Sequence, residues 1–184
     1  MAKTRVAVFV GSLRKDSFNK QLAHAIGKLA SSTLELEHVR LDDLPHYNQD
    51  FDGAYPPEAT RLKTQIESCQ AVLFVTPEYN RSIPGVLKNA IDIASRPWGK
   101  NSFAGKPAGV LGMSVGQIGT ALAQQHLRNV LAYLDAPTMG QPETFLKHEE
   151  GMFGEDGSIV PERTRKVVQG FVDKYVAWIE SHRG

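Results

Sequence analysis

The polar residues best suited to bind a ligand lie together in residues 11–19, Gly-Ser-Leu-Arg-Lys-Asp-Ser-Phe-Asn, which we call loop 1. Ser12 and Ser17 supply hydroxyl groups, Asn19 supplies an amide, and Arg14 supplies a fixed positive charge on a planar fork of donors. An apolar run precedes loop 1 and apolar residues at helical spacing follow it, which predicts a turn between a buried strand and a helix. The helix start adds unpaired N–H groups and the positive end of its dipole. Loop 1 is therefore predicted to hold an anion, a phosphate above all, and the alternative is a polar turn capped by a serine.

Two further loops carry residues suited to a flat ligand with polar edges. Loop 2, residues 77–85, contains two prolines that fix its backbone, and Tyr79 could pack on a planar ring. Glu78 has no visible partner that would make it a general base, and we expect its carboxylate to be exposed. Loop 3, residues 114–119, contains two glycines that allow the backbone to approach a ligand closely.

The pattern of apolar residues predicts five strands alternating with five helices. The expected strands cover about 5–10, 34–41, 71–75, 106–113 and 136–140, and the expected helices cover about 17–30, 57–69, 84–94, 123–134 and 161–179. Such alternation is typical of an α/β protein with a parallel sheet covered on both faces.

The composition of the strands predicts their order in the sheet. The second strand alternates with charged residues and the fifth contains Pro137, features tolerated at sheet edges. The other three are apolar throughout, as central parallel strands are. We therefore predict a doubly wound, five-stranded parallel sheet of order 2-1-3-4-5. Ligands bind such sheets at the carboxyl ends of the strands where the order reverses, and this brings loops 1, 2 and 3 together.

Composition limits the classes of function. The 184 residues suit a single domain spanning 1–184, and a formal net charge of +1 gives no strong field for nucleic acid or an anionic membrane. The lone cysteine, Cys69, lies on an apolar stripe and is expected in the core, which fits a reducing compartment. The first strand begins at once, leaving no room for a signal peptide, and we predict a cytoplasmic protein. The six histidines show no ligand spacing, so no metal site is predicted.

Four blocks of sequence, in order, resemble the NADPH-dependent FMN reductase family, which includes bacterial chromate and quinone reductases. They are loop 1, the segment Leu-Pro-His-Tyr-Asn-Gln-Asp at 44–50, the stretch 77–92 that contains loop 2, and Ser114 with Gly116 and Gly119. The resemblance runs in register from about Val6 to Ile179. Arg81 departs from the aromatic residue that often follows the asparagine in this family.

The resemblance implies a flavodoxin-like fold, bound FMN, and NADPH or NADH as electron donor. It implies a small-molecule acceptor such as a quinone or chromate, and a homodimer or homotetramer. The expected cofactor-binding residues are Ser12, Arg14, Ser17, Phe18 and Asn19 near the phosphate, Pro77, Glu78, Tyr79 and Asn80 at the ring, and Ser114, Val115 and Gly116 beside the cofactor. Arg96 is an expected contact for an anionic acceptor. No catalytic side chain is expected, since FMN carries the chemistry.

Two other functions compete with this interpretation. A flavodoxin-type electron carrier would share the fold, but carriers usually present a strongly acidic docking face, and here the net charge is near zero. A serine hydrolase is suggested by Gly-Met-Ser-Val-Gly at 112–116, which fits the nucleophile elbow around Ser114. Asp135 and His148 are poorly spaced to complete a triad, although His182 is left open.

Overall fold

The structure is a computed structural model, and it describes residues 2–182. Its strands are β1 (Thr4–Val10), β2 (Leu34–His38), β3 (Ala71–Val75), β4 (Ala108–Ser114) and β5 (Phe145–Lys147), and its helices are α1 (Phe18–Leu29), α2 (Pro57–Ser68), α3 (Gly85–Ala94), α4 (Ala121–Tyr133) and α5 (Glu162–Ser181). The strands form one parallel sheet in the order β2-β1-β3-β4-β5, so the predicted class and order are confirmed.

Alternate residues of the central strands enter two separate cores. Val6 and Val8 of β1 face the side covered by α1 and α5, whereas Phe9 faces the side covered by α2, α3 and α4. This division follows from the two-residue period of a strand. Tyr175 of α5 is fully enclosed, and its hydroxyl donates to the carbonyl of Val72 at 2.7 Å. Both faces are thus covered, which leaves the strand ends for binding.

The fifth strand differs from the prediction. Within the sheet, residues 136–140 pair only with the start of β4, where Ala108 N donates to Pro137 O and Met139 N donates to Ala108 O. The chain then leaves the sheet and returns at β5 to pair with the last three residues of β4. Pro137 and Pro142 lack the N–H that a continuous ladder needs, which explains the interruption. The edge position was predicted correctly and the residues were wrong.

The remaining boundaries agree with the prediction to within three residues. β2 ends at His38 instead of Leu41, and Ser17 caps α1 from outside the helix. Cys69 is buried as expected. Within residues 2–182, no helix is long and apolar enough to cross a membrane.

Candidate functional site

The carboxyl ends of β1, β3 and β4 bring loops 1, 2 and 3 together at one end of the sheet. Gly11 N donates to Val75 O at 3.0 Å, and Thr76 N donates to Leu111 O at 3.0 Å. A Cβ atom built on Gly11 would lie 3.3 Å from the Cδ atom of Pro77, so the starts of loops 1 and 2 are neighbours. The predicted meeting of the three loops at the point where the strand order reverses agrees with this arrangement.

Loop 1 presents a set of donors without partners. Ser17 is the N-cap of α1 and accepts from Lys20 N at 3.4 Å. The backbone N–H groups of Leu13, Arg14 and Phe18 donate to no other group in the described part of the chain. The same holds for the hydroxyl of Ser12, whose residue is only 6% exposed. Donors converging at a helix N-terminus fit a phosphate group.

Arg14 is held in place before any ligand binds. Its guanidinium lies over the Phe18 ring, 4.4 Å from the ring centroid, and donates to the carbonyl of Asp16. The opposite face of Phe18 stacks on His148, with centroids 3.5 Å apart and an angle of 19°. Both faces of Phe18 are therefore covered, so what Phe18 offers a cofactor is its backbone N–H.

Asn19 is used differently from the expectation. Its side-chain amide donates to Met113 O at 2.9 Å and accepts from Met113 N at 3.0 Å, and the residue is 3% exposed. This pair of hydrogen bonds links α1 to β4. Because the amide makes these two hydrogen bonds, the backbone N–H of Asn19, in the first turn of α1, is the group left for the expected contact with a phosphate.

Loop 2 begins with a tight reverse turn. Tyr79 and Ser82 exchange two backbone hydrogen bonds of 3.0 Å, and the two residues between them, Asn80 and Arg81, have φ angles of 52° and 64°. Two successive positive φ angles are typical of a type I′ turn, in which asparagine is favoured. Tyr79 is 52% exposed, so its ring is available at the surface of loop 2.

Glu78 is not exposed, contrary to the expectation. Its side chain is 10% exposed, and one carboxylate oxygen accepts from Leu122 N at 3.0 Å and from Ala123 N at 3.1 Å. These are orphan N–H groups of the first turn of α4, whose own N-cap, Thr120, makes no side-chain cap bond. The carboxylate therefore caps α4 and anchors loop 2, and it is not placed as a general base.

Loop 3 is held by its own serine. The hydroxyl of Ser114 donates to Gly119 O, and the carbonyl of Ser114 accepts from His148 N at 2.8 Å. Val115 is 70% exposed, so loop 3 presents an apolar side chain at the end of the sheet where loop 2 also lies. Among the described residues, the Ser114 hydroxyl bonds to no histidine, so the geometry of a catalytic triad is missing.

Gly112 explains the nucleophile-elbow pattern in another way. A Cβ atom there would lie 2.0 Å from the carbonyl oxygen of Thr76 and 2.5 Å from the hydroxyl of Thr120. The glycine is required because β3 and β4 approach each other closely where their loops begin. The match to the hydrolase motif is therefore a consequence of packing.

Arg96 lies away from the three loops. It follows α3, which starts at the end of loop 2 and runs ten residues, or about 15 Å, back toward the amino ends of the strands. There its guanidinium lies 5.8 Å from the ring centroid of Trp98 and lines a groove between α3 and α4. The expectation that Arg96 contacts an anionic acceptor stays a prediction, and the groove is where such an acceptor would reach it.

His148 is the residue of this region that sequence reasoning did not assign to the site. It follows β5 directly and reaches loop 1 only because β5 ends beside Ser114. Burial first, and the charge of Arg14 second, lower the pKa of His148 below its ordinary value. No spacing pattern links His148 to Phe18, since their contact depends on where the fifth strand ends.

Comparison with known proteins agrees with this geometry. A family model described as NADPH-dependent FMN reductase matches residues 4–151. A 2-hydroxy-1,4-benzoquinone reductase from a Burkholderia species is 55% identical over 97% of this chain and 98% of its own length. The structure of FerB, a flavoenzyme NAD(P)H:(acceptor) oxidoreductase from Paracoccus denitrificans, superposes with a TM-score of 0.94 at 50% identity, covering 97% of this chain and 98% of FerB.

A more distant structure identifies the fold alone. A WrbA-like flavodoxin from Agrobacterium tumefaciens superposes with a TM-score of 0.67 at 14% identity, covering 99% of this chain and all of that one. The predicted flavodoxin-like fold is thereby confirmed, and the family match confirms FMN and a reduced nicotinamide as the expected cofactors. On the match of the family model and the identity of its relatives, the chain belongs to the NADPH-dependent FMN reductase family.

Proposed function

We propose that this chain reduces quinones with electrons from NADPH or NADH through a bound FMN. The observation that carries the proposal is that the unpartnered donors of loop 1 and the loops that carry the exposed side chains of Tyr79 and Val115 follow neighbouring parallel strands at the same end of the sheet. An anion-binding loop beside an apolar surface suits a phosphorylated cofactor with a flat ring. The Burkholderia relative, a 2-hydroxy-1,4-benzoquinone reductase, and the Paracoccus relative, an NAD(P)H:(acceptor) oxidoreductase, support the same reaction class.

The residues present fit an FMN group. Ser12, Arg14, Ser17 and the N–H groups at the start of α1 would hold the phosphate, since the Ser12 hydroxyl and these N–H groups have no other acceptor in the described part of the chain and Arg14 uses one of its five donors on Asp16 O. The backbone of residues 77–80 would border the ring, and residues 114–116 would lie beside it. FMN, when bound, supplies the hydride chemistry, while the protein supplies binding, orientation and the surface for the acceptor.

The exposed surface favours an aromatic acceptor. Tyr79, Val115 and Ile118 are 52%, 70% and 49% exposed, and apolar side chains of this kind pack well on a quinone ring. Chromate, an anionic acceptor, would need a cation at the same surface, and there the guanidinium of Arg81 lies 3.7 Å from the carboxylate of Glu78, which offsets its charge. We therefore propose quinones as the main acceptors.

Nicotinamide and quinone are proposed to use the same exposed surface in turn, which predicts ping-pong kinetics. The test combines anaerobic addition of NADPH to the purified holoenzyme with steady-state kinetics at several quinone concentrations. Bleaching of the flavin by NADPH alone, together with parallel double-reciprocal lines, supports an enzyme of this kind. A flavin that is reduced only in the presence of a separate reductase supports the electron-carrier alternative, and intersecting lines contradict the shared surface.

We also propose that the chain forms a homo-oligomer through the groove between α3 and α4. The groove has a volume of about 580 Å³, and its rim carries Trp98 and Tyr133, which are 78% and 72% exposed. Exposed aromatic side chains beside an arginine are typical of protein interfaces. A second copy of this chain is the proposed occupant.

A further inference from the structure

Arg14, Phe18 and His148 form one continuous stack at the edge of loop 1. The guanidinium carbon of Arg14 lies 4.4 Å from the centroid of the Phe18 ring, and the His148 ring lies 3.5 Å from that centroid on the other side. The imidazole is tilted by only 19° from the phenyl ring. The three side chains come from a loop, a helix start and the end of a strand.

Each member of the stack is fixed by a separate contact. Arg14 donates to Asp16 O, Phe18 is the first residue of α1 and packs on the core beneath that helix, and His148 N donates to Ser114 O at 2.8 Å. The backbone that carries His148 continues the ladder in which Ser114 pairs with Lys147. The imidazole is therefore placed by the sheet itself and supports Phe18 from behind.

The charges in the stack suit this arrangement. The face of an aromatic ring attracts a guanidinium through its quadrupole. A neutral imidazole can stack on the far face without repelling Arg14, and burial together with Arg14 lowers the pKa of His148, which keeps it neutral at pH 7. A long arginine side chain otherwise loses considerable rotamer freedom when it binds a ligand.

We propose that Phe18 and His148 are positioning residues that hold Arg14 ready for the FMN phosphate. This inference rests on the proposed placement of that phosphate on loop 1. Because the stack orders the guanidinium before FMN binds, less conformational entropy is lost on binding. FMN affinity then depends on His148. This residue follows β5 directly and lies outside the four blocks of sequence that resemble the family.

The test measures binding of FMN and of riboflavin, which lacks the phosphate, to the apoprotein by quenching of flavin fluorescence. We expect His148→Ala to weaken FMN binding roughly three- to tenfold, the size of a lost stacking contact, and to leave riboflavin binding unchanged. His148→Phe, which keeps an aromatic face, should restore the affinity. Combined with Arg14→Ala, His148→Ala should add no further loss, since it acts through Arg14.

His182, at the C-terminal end of α5, is a matched control. His182 also packs on an aromatic ring, with its centroid 4.1 Å from that of Trp178, and it lies at the end of α5 far from loop 1. His182→Ala should leave the affinity for both flavins unchanged. If His148→Ala fails to fold, His148→Gln, which keeps the size without the aromatic face, takes its place.

The outcomes separate the two levels of the proposal. If Arg14→Ala leaves FMN binding unchanged, the placement of the phosphate on loop 1 is wrong. If Arg14→Ala weakens binding but the His148 variants do not, the placement stands and the positioning role is overturned. Additive losses in the double variant, or an equal loss of riboflavin affinity, also overturn the positioning role, because they indicate a general structural effect.

Discussion

At the scale of single residues, Gly112 is the position where the site leaves least room. A Cβ atom there would lie 2.0 Å from the backbone carbonyl of Thr76, which cannot move without displacing β3. We expect Gly112→Ala to lower the free energy of unfolding by about 3 kcal/mol or to prevent folding, as overpacking of a core does. Urea unfolding of the apoprotein followed by circular dichroism measures the change.

Gly116 from the same five-residue motif is the control for this prediction. Its nearest neighbour to an added Cβ would be the Ser114 hydroxyl at 3.7 Å, an ordinary contact distance. Gly116→Ala should therefore change stability by no more than about 0.5 kcal/mol. Equal effects of the two substitutions would contradict the packing explanation of the motif.

Residue identities predicted part of the site, namely those groups whose role is local. Ser12, Arg14 and Ser17 lie within one loop, so their chemistry can be inferred from neighbours in sequence. Asn19 and Glu78 carry equally polar side chains, but their partners, Met113 and the start of α4, come from distant segments. The sequence gives no measure of which polar side chain faces a ligand and which satisfies a buried backbone group.

At the scale of elements, α4 depends on a cap supplied by another loop. Glu78 accepts from the N–H groups of Leu122 and Ala123, and no residue of α4 or its N-cap replaces it. We expect Glu78→Ala to lower the free energy of unfolding by about 1 kcal/mol, the usual effect of losing a cap, and to loosen loop 2. The measurement is urea unfolding together with the KM for a quinone.

Exposed Glu150 gives the comparison for the cap. Glu150→Ala removes the same carboxylate from the turn after β5 and should change neither stability nor KM. If Glu78→Ala behaves like Glu150→Ala, the cap does not stabilise α4. If Glu78→Ala instead abolishes turnover while FMN binding and stability are retained, Glu78 has a chemical role that its buried position argues against.

The elements themselves were predicted with one exception, and the exception has a physical cause. Apolar runs and helical stripes identify β1, β3 and β4 and all five helices, because these elements bury whole faces. β5 has three residues at the sheet edge, of which only Leu146 is buried. Such a short strand has no periodicity. The pattern of apolar residues therefore predicts the fifth strand at the segment around Pro137 instead.

At the scale of the whole molecule, the strand order was predictable because charge and proline mark the sheet edges. The site then follows from topology, since the order reverses between β1 and β3. Topology does not specify the contacts made by segments late in the chain that return to the carboxyl ends of the strands. His148 is an example, because its stack on Phe18 joins residues 130 positions apart that no sequence pattern connects.

Stability of the apoprotein is expected to fall as the pH drops below 6.5. The ordinary pKa of histidine is about 6.5, and burial and Arg14 lower that of His148 in the folded state. Between the folded pKa and 6.5, the unfolded chain binds more protons at this residue than the folded chain, so protonation favours unfolding. Well above pH 6.5, His148 is neutral in both the folded and the unfolded state. Its contribution to the free energy of unfolding is then fully present.

The measurement is the urea midpoint of the parent and of His148→Gln from pH 8 to pH 5. Other groups titrate in the same range, so the difference between the two proteins is the relevant quantity. We expect the parent to lose more stability than His148→Gln as the pH falls. Parallel curves would show that the proton on His148 has no effect on folding.

The last prediction concerns assembly. Trp98 and Tyr133 lie on the rim of the groove between α3 and α4 and expose most of their rings. We expect light scattering to give the parent a mass of at least twice 20.3 kDa. Trp98→Glu combined with Tyr133→Glu should shift it to the monomer, because charges buried without partners oppose association. Val167 is an exposed residue of α5, which covers the other face of the sheet. Val167→Glu serves as the control and should leave the mass unchanged. A parent of monomer mass, or an oligomer that survives both glutamates, would place any interface elsewhere.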